Sequence, residues 1–376
     1  MSASSIRSVV DLCQALVQIP SENPSGSTPG GGEEAVARFV GSFLEDIGAQ
    51  VEYEEIDPGR PNVYGLWPTP AGATQRILFA PHLDTVTAEG MTIDPFLGNC
   101  EDGRLCGRGS SDTKGTVAAM LWALKSVDLS KLSVAVGFAG LADEEFEQRG
   151  AKACAVRKMA DFAIAGEPTD LNVVHTHKGT AWLKVETHGK SAHASIPEIG
   201  INAIDRMTEA LKILRERFSE ICTVQPDPVL GKATISIGLI NGGSKINIVP
   251  DRCSAEVDIR IVPGQESMVI AVAEFLRDHQ VPATVTPIKV SAPLYTPPEN
   301  PFIQKFAELG STLTGANWFC DAAVFALEGT PAIAIGPGSI AQAHTADEFI
   351  EIAQLERGAE LFTKYLLSFD NGRLKA

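Results

Sequence analysis

The sequence predicts a two-domain α/β protein in which a small domain is inserted into a larger one. In the outer parts of the chain, short apolar runs that indicate buried strands alternate with amphipathic helical segments. From about Thr180 the order changes to β-α-β-β-α-β, the split βαβ arrangement of ferredoxin-like domains. A length of 376 residues exceeds the usual size of one hydrophobic core and also favours two domains.

Four apolar runs indicate the buried strands of the larger domain. They are ILFAP from Ile77, VAVGFAGL from Val134, DFAIAG from Asp161 and PAIAIG from Pro331. Apolar residues recur at helical spacing near Val36 to Leu44, from Val117 to Val127 and near Ile303 to Leu313. Because strand and helix alternate, we expect a mixed central sheet flanked by helices.

The inserted segment has its own order of strands and helices. It contains the strand AWLKVET, a helix from Asn202 to Phe218, the strands ATISIGLI and SAEVDIRIV, a helix from Ser267 to Asp278 and the strand ATVTPIKV. The Pro-rich stretch from Ser291 to Pro301 then leads back to strand and helix alternation. We therefore expect residues 1–179 and 291–376 to form the larger, discontinuous domain and residues 180–290 to form the insertion.

Composition narrows the classes of function. Hydrophobic residues make up 44% of the chain and charged residues 21%, as in ordinary globular proteins, and no run approaches the ~20 apolar residues of a membrane span. A net charge of -16 disfavours nucleic acid as a partner. The start, MSASSIRSVVDL, lacks the apolar segment of a secretory signal, and the seven cysteines include no CxxC pair. We therefore expect a cytoplasmic protein with reduced thiols.

Side chains of metal-binding type follow the apolar runs where each strand ends. His82 follows ILFAP, Glu144 and Glu145 follow VAVGFAGLAD, Glu167 follows DFAIAG, and His344 lies in the loop after PAIAIG. Open α/β sheets bind ligands at the carboxyl ends of their strands, so residues far apart in sequence can meet there. Asp112, in the glycine-punctuated loop GRGSSDTKG ahead of a helix, is a further candidate.

Two histidines and three carboxylates form a ligand set that suits zinc, and the lack of cysteine excludes a structural thiolate site. Five ligands are too many for one tetrahedral ion, but they fit two ions that share a bridging carboxylate and leave positions open for water. Asp84, two residues after His82 on an extended chain, points to the same side and can brace the imidazole. The alternative for Asp84 is a loop-turn role.

The adjacent carboxylates Glu144 and Glu145 can serve neighbouring roles. One can hold metal, while the other takes a proton from the attacking water and later delivers it to a leaving amine. In the absence of metal, the same acidic cluster would be the solvated start of a helix. Because ligand-type residues follow all four predicted strands, a metal site is favoured over a solvated helix start.

Six motifs give the chain a resemblance to a known family. HLDTV at His82, GRGSSDTKG around Asp112, DEE at Asp143, GEPT at Gly166, GKSAHASIPEIGINAI at Gly189 and GPGSIAQAHTADEF at Gly336 resemble motifs of the acetylornithine deacetylase and succinyl-diaminopimelate desuccinylase family. These are dinuclear zinc amidohydrolases, with aminoacylases and carboxypeptidases among their relatives. The resemblance runs from about residue 8 to 370 with the motifs in order.

The resemblance implies a role for each candidate. His82 and Glu167 would bind one zinc ion, Glu145 and His344 would bind the other, Asp112 would bridge both, and Glu144 would be the general acid/base. Cobalt or manganese could take the place of zinc. The inserted domain is implied to be a lid and a surface for homodimerisation.

Three residues of the inserted domain also acquire roles from the resemblance. His193 is implied to reach an active site, its own or the partner subunit's, and to hydrogen-bond the developing oxyanion. Asn247 and Arg260 match positions associated with substrate binding, and the planar fork of arginine suits a carboxylate. The alternative for Arg260 is a solvent-facing strand position. His175 and His177 have no metal role in the family, and we expect them to be structural.

The final motif favours one substrate among several. GPGSIAQAH is closest to the acetylornithine deacetylase pattern, which points to hydrolysis of N2-acetyl-L-ornithine to L-ornithine and acetate. The desuccinylase pattern carries Asn and Thr where this chain has Gln342 and Ala343. Carboxypeptidase or dipeptidase activity also stays open, because those branches share every metal ligand. A catalytically inactive metal-binding protein is the alternative from a different class, and the intact Glu144 counts against it.

Overall fold

The structure is a computed structural model that describes residues 6–25, 31–222 and 225–370. The chain forms two compact units. The first unit runs to His175 and includes Thr296–Thr314 and the chain from Cys320, whereas the second contains Thr176–Tyr295 and Gly315–Phe319.

These boundaries differ from the expected ones, most clearly at residues 315–319, which the sequence analysis assigned to the larger domain. The backbone N–H of Lys178 donates to the carbonyl of Ala316 over 3.0 Å. The guanidinium of Arg260 lies 5.9 Å from the ring centroid of Phe319. These contacts explain why a segment distant in sequence packs with the second unit.

A mixed sheet forms the centre of the first unit. Its strands are β1 (Gln50–Asp57), β2 (Arg60–Leu66), β3 (Arg76–Pro81), β6 (Ala135–Gly140), β7 (Phe162–Gly166), β8 (Val173–His177) and β15 (Ala332–Ala334). They lie in the order β1-β2-β6-β3-β7-β15-β8. β3 runs parallel to β6 and β7, and β15 runs parallel to β7, whereas β1 with β2, β2 with β6, and β15 with β8 are antiparallel.

Three short strands form a separate small sheet. They are β4 (Cys100–Glu101), β5 (Arg104–Cys106) and β16 (Phe349–Glu351), in the order β16-β5-β4. β16 begins five residues after His344 in the chain, and its partner β5 ends shortly before the loop that carries Asp112. The small sheet therefore joins two segments that sequence analysis identified as metal-binding candidates.

Helices flank the central sheet. They are α1 (Val9–Val17), α2 (Glu34–Asp46), α3 (Gly115–Ser126), α4 (Arg149–Val156), α7 (Pro301–Glu308), α8 (Ala322–Leu327) and α9 (Ile352–Leu367). Every residue of β6, β7 and β15 is buried, as expected for strands covered on both faces. α3 packs against α1 and α9, and Phe79 of β3 makes an edge contact with Phe362 of α9 at 5.4 Å between ring centroids. The predicted mixed sheet flanked by helices is confirmed.

The second unit has the chain order β9 (Gly179–His188), α5 (Ala203–Ile221), β10 (Thr234–Gly242), β11 (Arg252–Ile261), α6 (Met268–Asp278) and β12 (Ala283–Ser291). These strands form an antiparallel sheet in the order β10-β11-β9-β12. On β9, Ala181, Leu183 and Val185 are buried in the core of this unit, which also contains buried residues of α5 and α6. The side chain of Asn202 caps α5 by accepting hydrogen bonds from two backbone N–H groups.

Two further short strands pair with β8. β13 (Leu294–Tyr295) pairs antiparallel with the last residues of β8, and β14 (Leu313–Ala316) also pairs with β8.

Within the described residues, none of the helices combines the length and the apolar character that crossing a membrane requires.

Candidate metal centre

The central sheet places the predicted site residues of the first unit at one edge. His82 directly follows β3 and Glu167 directly follows β7, which pairs in parallel with β3. Glu144 and Glu145 follow β6, the parallel neighbour of β3 on its other side. His344 lies in the loop after β15. The carboxyl ends of these parallel strands therefore bring together residues that are up to 262 positions apart in sequence.

Two groups of possible ligands share one carboxylate. His82, Asp112 and Glu167 form the first group, and Asp112, Glu145 and His344 form the second, with the ligand atoms of each group within 4.8 Å of one another. Nε2 of His82 lies 3.2 Å from Oδ1 of Asp112, whereas Nε2 of His344 lies 3.5 Å from Oδ2 of the same carboxylate. The two oxygens of Asp112 thus face different groups, which is the arrangement that a bridging ligand needs.

The donor set fits divalent metal ions. It consists of imidazole nitrogens and carboxylate oxygens, which zinc, cobalt and manganese all accept. Each group offers three protein ligands, so that a fourth position could be left for water or substrate. The pairing of residues is the one that the family resemblance implied.

Burial and mutual repulsion shape the electrostatics of the centre. Burial raises the pKa values of Glu144, Glu145 and Glu167, and neighbouring carboxylates raise them further. Burial also opposes ionisation of Asp112, but its hydrogen bond with His82 and the positive charges of His82, His344 and Arg108 together lower the pKa of this carboxyl. Several carboxylates in a buried space favour the binding of a cation, which would relieve their repulsion.

Both histidines lie against these carboxylates. Burial acts to lower the pKa of His82, but the hydrogen bonds with Asp112 and Asp84 and the charges of nearby glutamates together outweigh it, and the pKa is well above its usual value. The hydrogen bond with Glu145, at 3.1 Å from Nε2 to Oε2, raises the pKa of the more exposed His344 to about 9. Proton and metal ion therefore compete for the same imidazole nitrogens.

Glu348 holds the loop that carries Asp112, a role that sequence analysis did not assign. Its buried carboxylate accepts hydrogen bonds from the backbone N–H groups of Gly109, Ser111 and Asp112, each over 2.9 Å. It also accepts a hydrogen bond from Nη1 of Arg108 over 2.8 Å. The only signal in the sequence was the position of Glu348 in the motif HTADEF, after His344.

Asp84 acts mainly on the loop of Glu144 and Glu145. Its Oδ1 accepts the backbone N–H of Glu144 over 3.0 Å, and its Oδ2 accepts that of Glu145 over 3.1 Å. Nδ1 of His82 lies 3.0 Å from the backbone carbonyl of Asp84 and 3.5 Å from Oδ1. The carboxylate thus lies beside the imidazole, as expected, but the carbonyl is the closer partner because the carboxylate is turned towards the two amides.

The remaining candidates belong to the second unit. His193 is exposed, and its Nδ1 lies 2.8 Å from Oγ of Ser195. Asn247 is exposed and its carbonyl accepts the backbone N–H of Ala194 over 3.1 Å, which ties the Asn247 loop to the His193 segment. Arg260 forms an ion pair with Asp258, with Nη2 and Oδ2 3.1 Å apart. The guanidinium of Arg260 is therefore ion-paired and does not simply face solvent.

The paired histidines of β8 are buried and lie outside both ligand groups. Nδ1 of His175 lies 3.0 Å from the carbonyl of Thr296, and Nδ1 of His177 lies 2.9 Å from that of Lys178. Burial lowers the pKa of His177 to about 4, so this imidazole is neutral near pH 7. These features are typical of structural histidines, as expected.

Two histidine-containing ligand groups that share the carboxylate of Asp112, with the further carboxylate of Glu144 beside them, fit a metal-dependent amidohydrolase. The family comparison agrees with this class. The model of peptidase family M20/M25/M40 matches residues 78–368, and the chain belongs to this family. The resemblance found in the sequence motifs is thereby confirmed.

Relatives and solved structures extend the comparison. The chain is 31% identical over 380 residues to an acetylornithine deacetylase of Proteus mirabilis (strain HI4320), with 96% of each chain covered. It superposes on aminopeptidase PepT from Bacillus cereus ATCC 10987 with a TM-score of 0.75 at 22% identity, covering 95% of this chain and 97% of that one. A dinuclear metal binding peptidase of the M20 family from Bacillus subtilis gives a TM-score of 0.70 at 14% identity, with 96% of each chain covered. The protein is accordingly a metal-dependent amidohydrolase with the fold of M20 peptidases.

Proposed function

We propose that this protein uses two zinc ions to hydrolyse the amide bond of an N-acyl amino acid, with N2-acetyl-L-ornithine as substrate and L-ornithine and acetate as products. The observation that carries the reaction is the pair of ligand groups that share Asp112, with Glu144 outside both. Similarity over nearly the whole chain to acetylornithine deacetylases supports the choice of substrate. Cobalt or manganese would satisfy the same donor set.

The first group of ligands would hold one ion and the second group would hold the other, with Asp112 belonging to both groups. Bound ions would lower the pKa of a water molecule towards ~7 and polarise the carbonyl of the scissile amide. Glu144 takes the proton of the attacking water and returns it to the leaving nitrogen. Burial, followed by the charge of Glu167, raises the pKa of Glu144, which suits a group that must both accept and release a proton near neutral pH.

The residues of the second unit are proposed to bind substrate. Arg260 would meet the substrate carboxylate, exchanging part of its pairing with Asp258 for a planar two-point contact. Asn247 would contribute a further polar contact. His193 would donate a hydrogen bond to the oxyanion that develops on the scissile carbonyl. These assignments rest on the family resemblance and on the exposure of His193 and Asn247.

We further propose that the second unit acts as a lid and forms a homodimer interface. β10 is an edge strand that pairs with β11 alone in its sheet, and Leu239 and Ile240 on it are 63% and 58% exposed. Ile246, in the following loop, is fully exposed. An apolar edge strand is a ready site for pairing with a second copy. The seven cysteines, all within the described residues, are free thiols, which supports a place in the reducing cytoplasm.

A substrate panel tests this proposal. The zinc-loaded protein would be assayed for release of a free amine from N2-acetyl-L-ornithine, N-succinyl-diaminopimelate and several dipeptides. Turnover of acetylornithine with the highest kcat/KM is the expected result. If only another substrate is turned over, the proposed reaction class stands and the proposed substrate is wrong. Full metal loading with no turnover of any of them would favour an inactive metal-binding protein.

A further inference from the structure

One buried asparagine links the two loops on which the proposed catalytic residues depend. Asn23 lies in the segment between α1 and α2 and is 4% exposed. Its Nδ2 lies 2.7 Å from Oδ2 of Asp84 and 3.1 Å from Oδ1 of Asp143. The two hydrogens of a single amide group are therefore donated to two different carboxylates.

The orientation of the Asn23 side-chain amide is fixed, with its NH₂ group towards the two carboxylates. Its Oδ1 accepts the backbone N–H of Ser25 over 3.0 Å, which turns Nδ2 towards the carboxylates. The backbone N–H of Asn23 donates to the carbonyl of Thr85 over 2.8 Å, which ties the segment to the chain just beyond Asp84. Since an ionised carboxylate only accepts hydrogen bonds, a donor is required at this position.

Each carboxylate that Asn23 contacts holds part of the loop that carries Glu144. Asp84 accepts the backbone N–H groups of Glu144 and Glu145. Asp143 immediately precedes Glu144 and has a φ of 69°, in the left-handed region that non-glycine residues seldom adopt. Its strained backbone must be held by the contacts around it.

A largely buried network of charges provides those contacts. The carboxylate of Asp143 lies 2.9 Å from Nη1 of Arg60 and 2.7 Å from Nε of Arg149. Its backbone N–H donates to Oε1 of Glu33 over 3.0 Å, and Glu33 is itself paired with Arg60 over 2.6 Å. Asn23 is the neutral member that joins this network to Asp84. Without its donor, Asp84 and Asp143 would be two carboxylates held near one another with less to offset their repulsion.

We propose that Asn23 is a positioning residue for the hydrolytic reaction: by donating to Asp84 and Asp143 together, it fixes the backbone of Glu144 relative to His82. The inference rests on the proposed function for its effect on turnover, and on the geometry alone for its effect on the loop. It assigns a role to a residue that lies outside every motif of the family resemblance.

The test replaces the donor with an acceptor of the same shape. In Asn23→Asp we expect kcat to fall on the order of 10²-fold, because small displacements of a catalytic group cost this much. KM should change less than about threefold, because substrate contacts are retained. Asn23→Ala, which removes the donors without adding charge, should show a smaller loss of kcat. Asn300→Asp is the matched control: Asn300 caps α7 through its Oδ1, a function that aspartate retains, so kcat should stay within about twofold.

Two readouts separate positioning from a general structural role. Metal content of Asn23→Asp, measured below the thermal midpoint of both proteins, should stay close to that of the parent, because Asn23 contacts none of the candidate ligands. Hydrogen exchange of the backbone amides of Glu144 and Glu145 should become faster, because Asp84, which accepts both amides, is no longer fixed by the Asn23 donor. An unchanged kcat, or a loss of kcat that is matched by loss of metal or of folded protein, would overturn the inference. If the parent hydrolyses none of the panel, the proposed function fails, and the exchange measurement still decides the role of Asn23.

Discussion

The carboxylate of Glu348 accepts a hydrogen bond from the backbone N–H of Asp112 over 2.9 Å. It also accepts hydrogen bonds from two more backbone N–H groups of the same loop, and it forms an ion pair with Arg108. Glu348 also follows His344 by four positions in the chain. One buried side chain therefore connects the shared carboxylate of both ligand groups with the segment that carries a histidine ligand candidate.

This relationship predicts that Glu348 supports metal binding. In Glu348→Gln an amide NH₂ would face backbone donors in place of a carboxylate oxygen, and the Asp112 loop would shift. We expect the affinity for zinc to fall by ~10- to 100-fold, as is typical when a partner of a metal ligand is removed. Titration of metal-free protein against a competing chelator measures the change. Glu351→Gln, on the exposed ion pair with Arg104, is the matched control and should bind zinc like the parent. Parent-like affinity in Glu348→Gln would contradict this role.

Glu144 is expected to matter for turnover and not for metal content. Glu144→Gln keeps the size of the side chain and removes its ability to take a proton, so kcat should fall by at least ~10²-fold. Metal analysis should find the same number of ions as in the parent. Glu147→Gln, three residues further on and exposed to solvent, serves as the control and should retain activity. Equal activity in Glu144→Gln would remove the proposed acid/base mechanism.

The strand ends are the part of the site that could be predicted from the sequence. Apolar runs long enough for one buried strand end just before His82 and Glu167, and parallel strands bring such positions to one edge. Asp112 could be placed only in a loop ahead of a helix. Its sharing between two groups depends on tertiary contacts, so that the family resemblance was needed to assign it as the bridge.

The supports of the site could not be predicted in the same way. Asp84 and Glu348 accept hydrogen bonds from loop backbones, and Asn23 donates to two carboxylates. Neither residue type nor spacing indicates which distant group a side chain will meet. The left-handed backbone of Asp143 likewise has no signature in DEE. Sequence patterns report periodic burial, whereas these contacts depend on where separate loops meet in the fold.

Metal affinity should depend on pH through His344. The neighbouring Glu145 raises the pKa of this imidazole to about 9, so that below this pH a metal ion must displace a proton. Apparent zinc affinity should therefore rise with pH from 6 towards 9 and then level off. In metal-free protein the raised pKa of His344 makes the fold less stable as pH rises. The protonated imidazole contributes fully to the free energy of unfolding below the ordinary pKa of 6.5, and this contribution is lost as pH rises through about 9.

Two titrations check this pH dependence. Zinc affinity would be measured by chelator competition at each pH, and the free energy of unfolding of metal-free protein by denaturant titration. His344→Gln lacks the titrating group and should show a shallower pH dependence in both measurements. A zinc affinity that does not change between pH 6 and 8 would exclude competition between proton and metal at this histidine.

The exposed edge of the second unit predicts the state of association. Ile240→Lys places a charge on β10, where it should prevent strand pairing and convert the proposed dimer to a monomer. Sedimentation velocity measures this directly. Ile270→Lys is the matched control, because Ile270 is 61% exposed but lies on α6, away from the edge strand. A monomeric parent, or a dimer that survives the charge on β10, would contradict the proposed interface.

Complementation can show whether His193 serves the partner subunit's active site, as we expect from its exposure and from the family resemblance. His193→Ala and Glu144→Gln should each be nearly inactive alone. In a mixed dimer, however, the subunit that retains Glu144 would receive an intact His193 from the other subunit. After subunits are exchanged at equal amounts, roughly a quarter of parental activity should return, because about half of the dimers are mixed and each has one complete site. If no activity returns while mixed dimers are demonstrably present, His193 acts within its own subunit, since each site then contains one substituted residue.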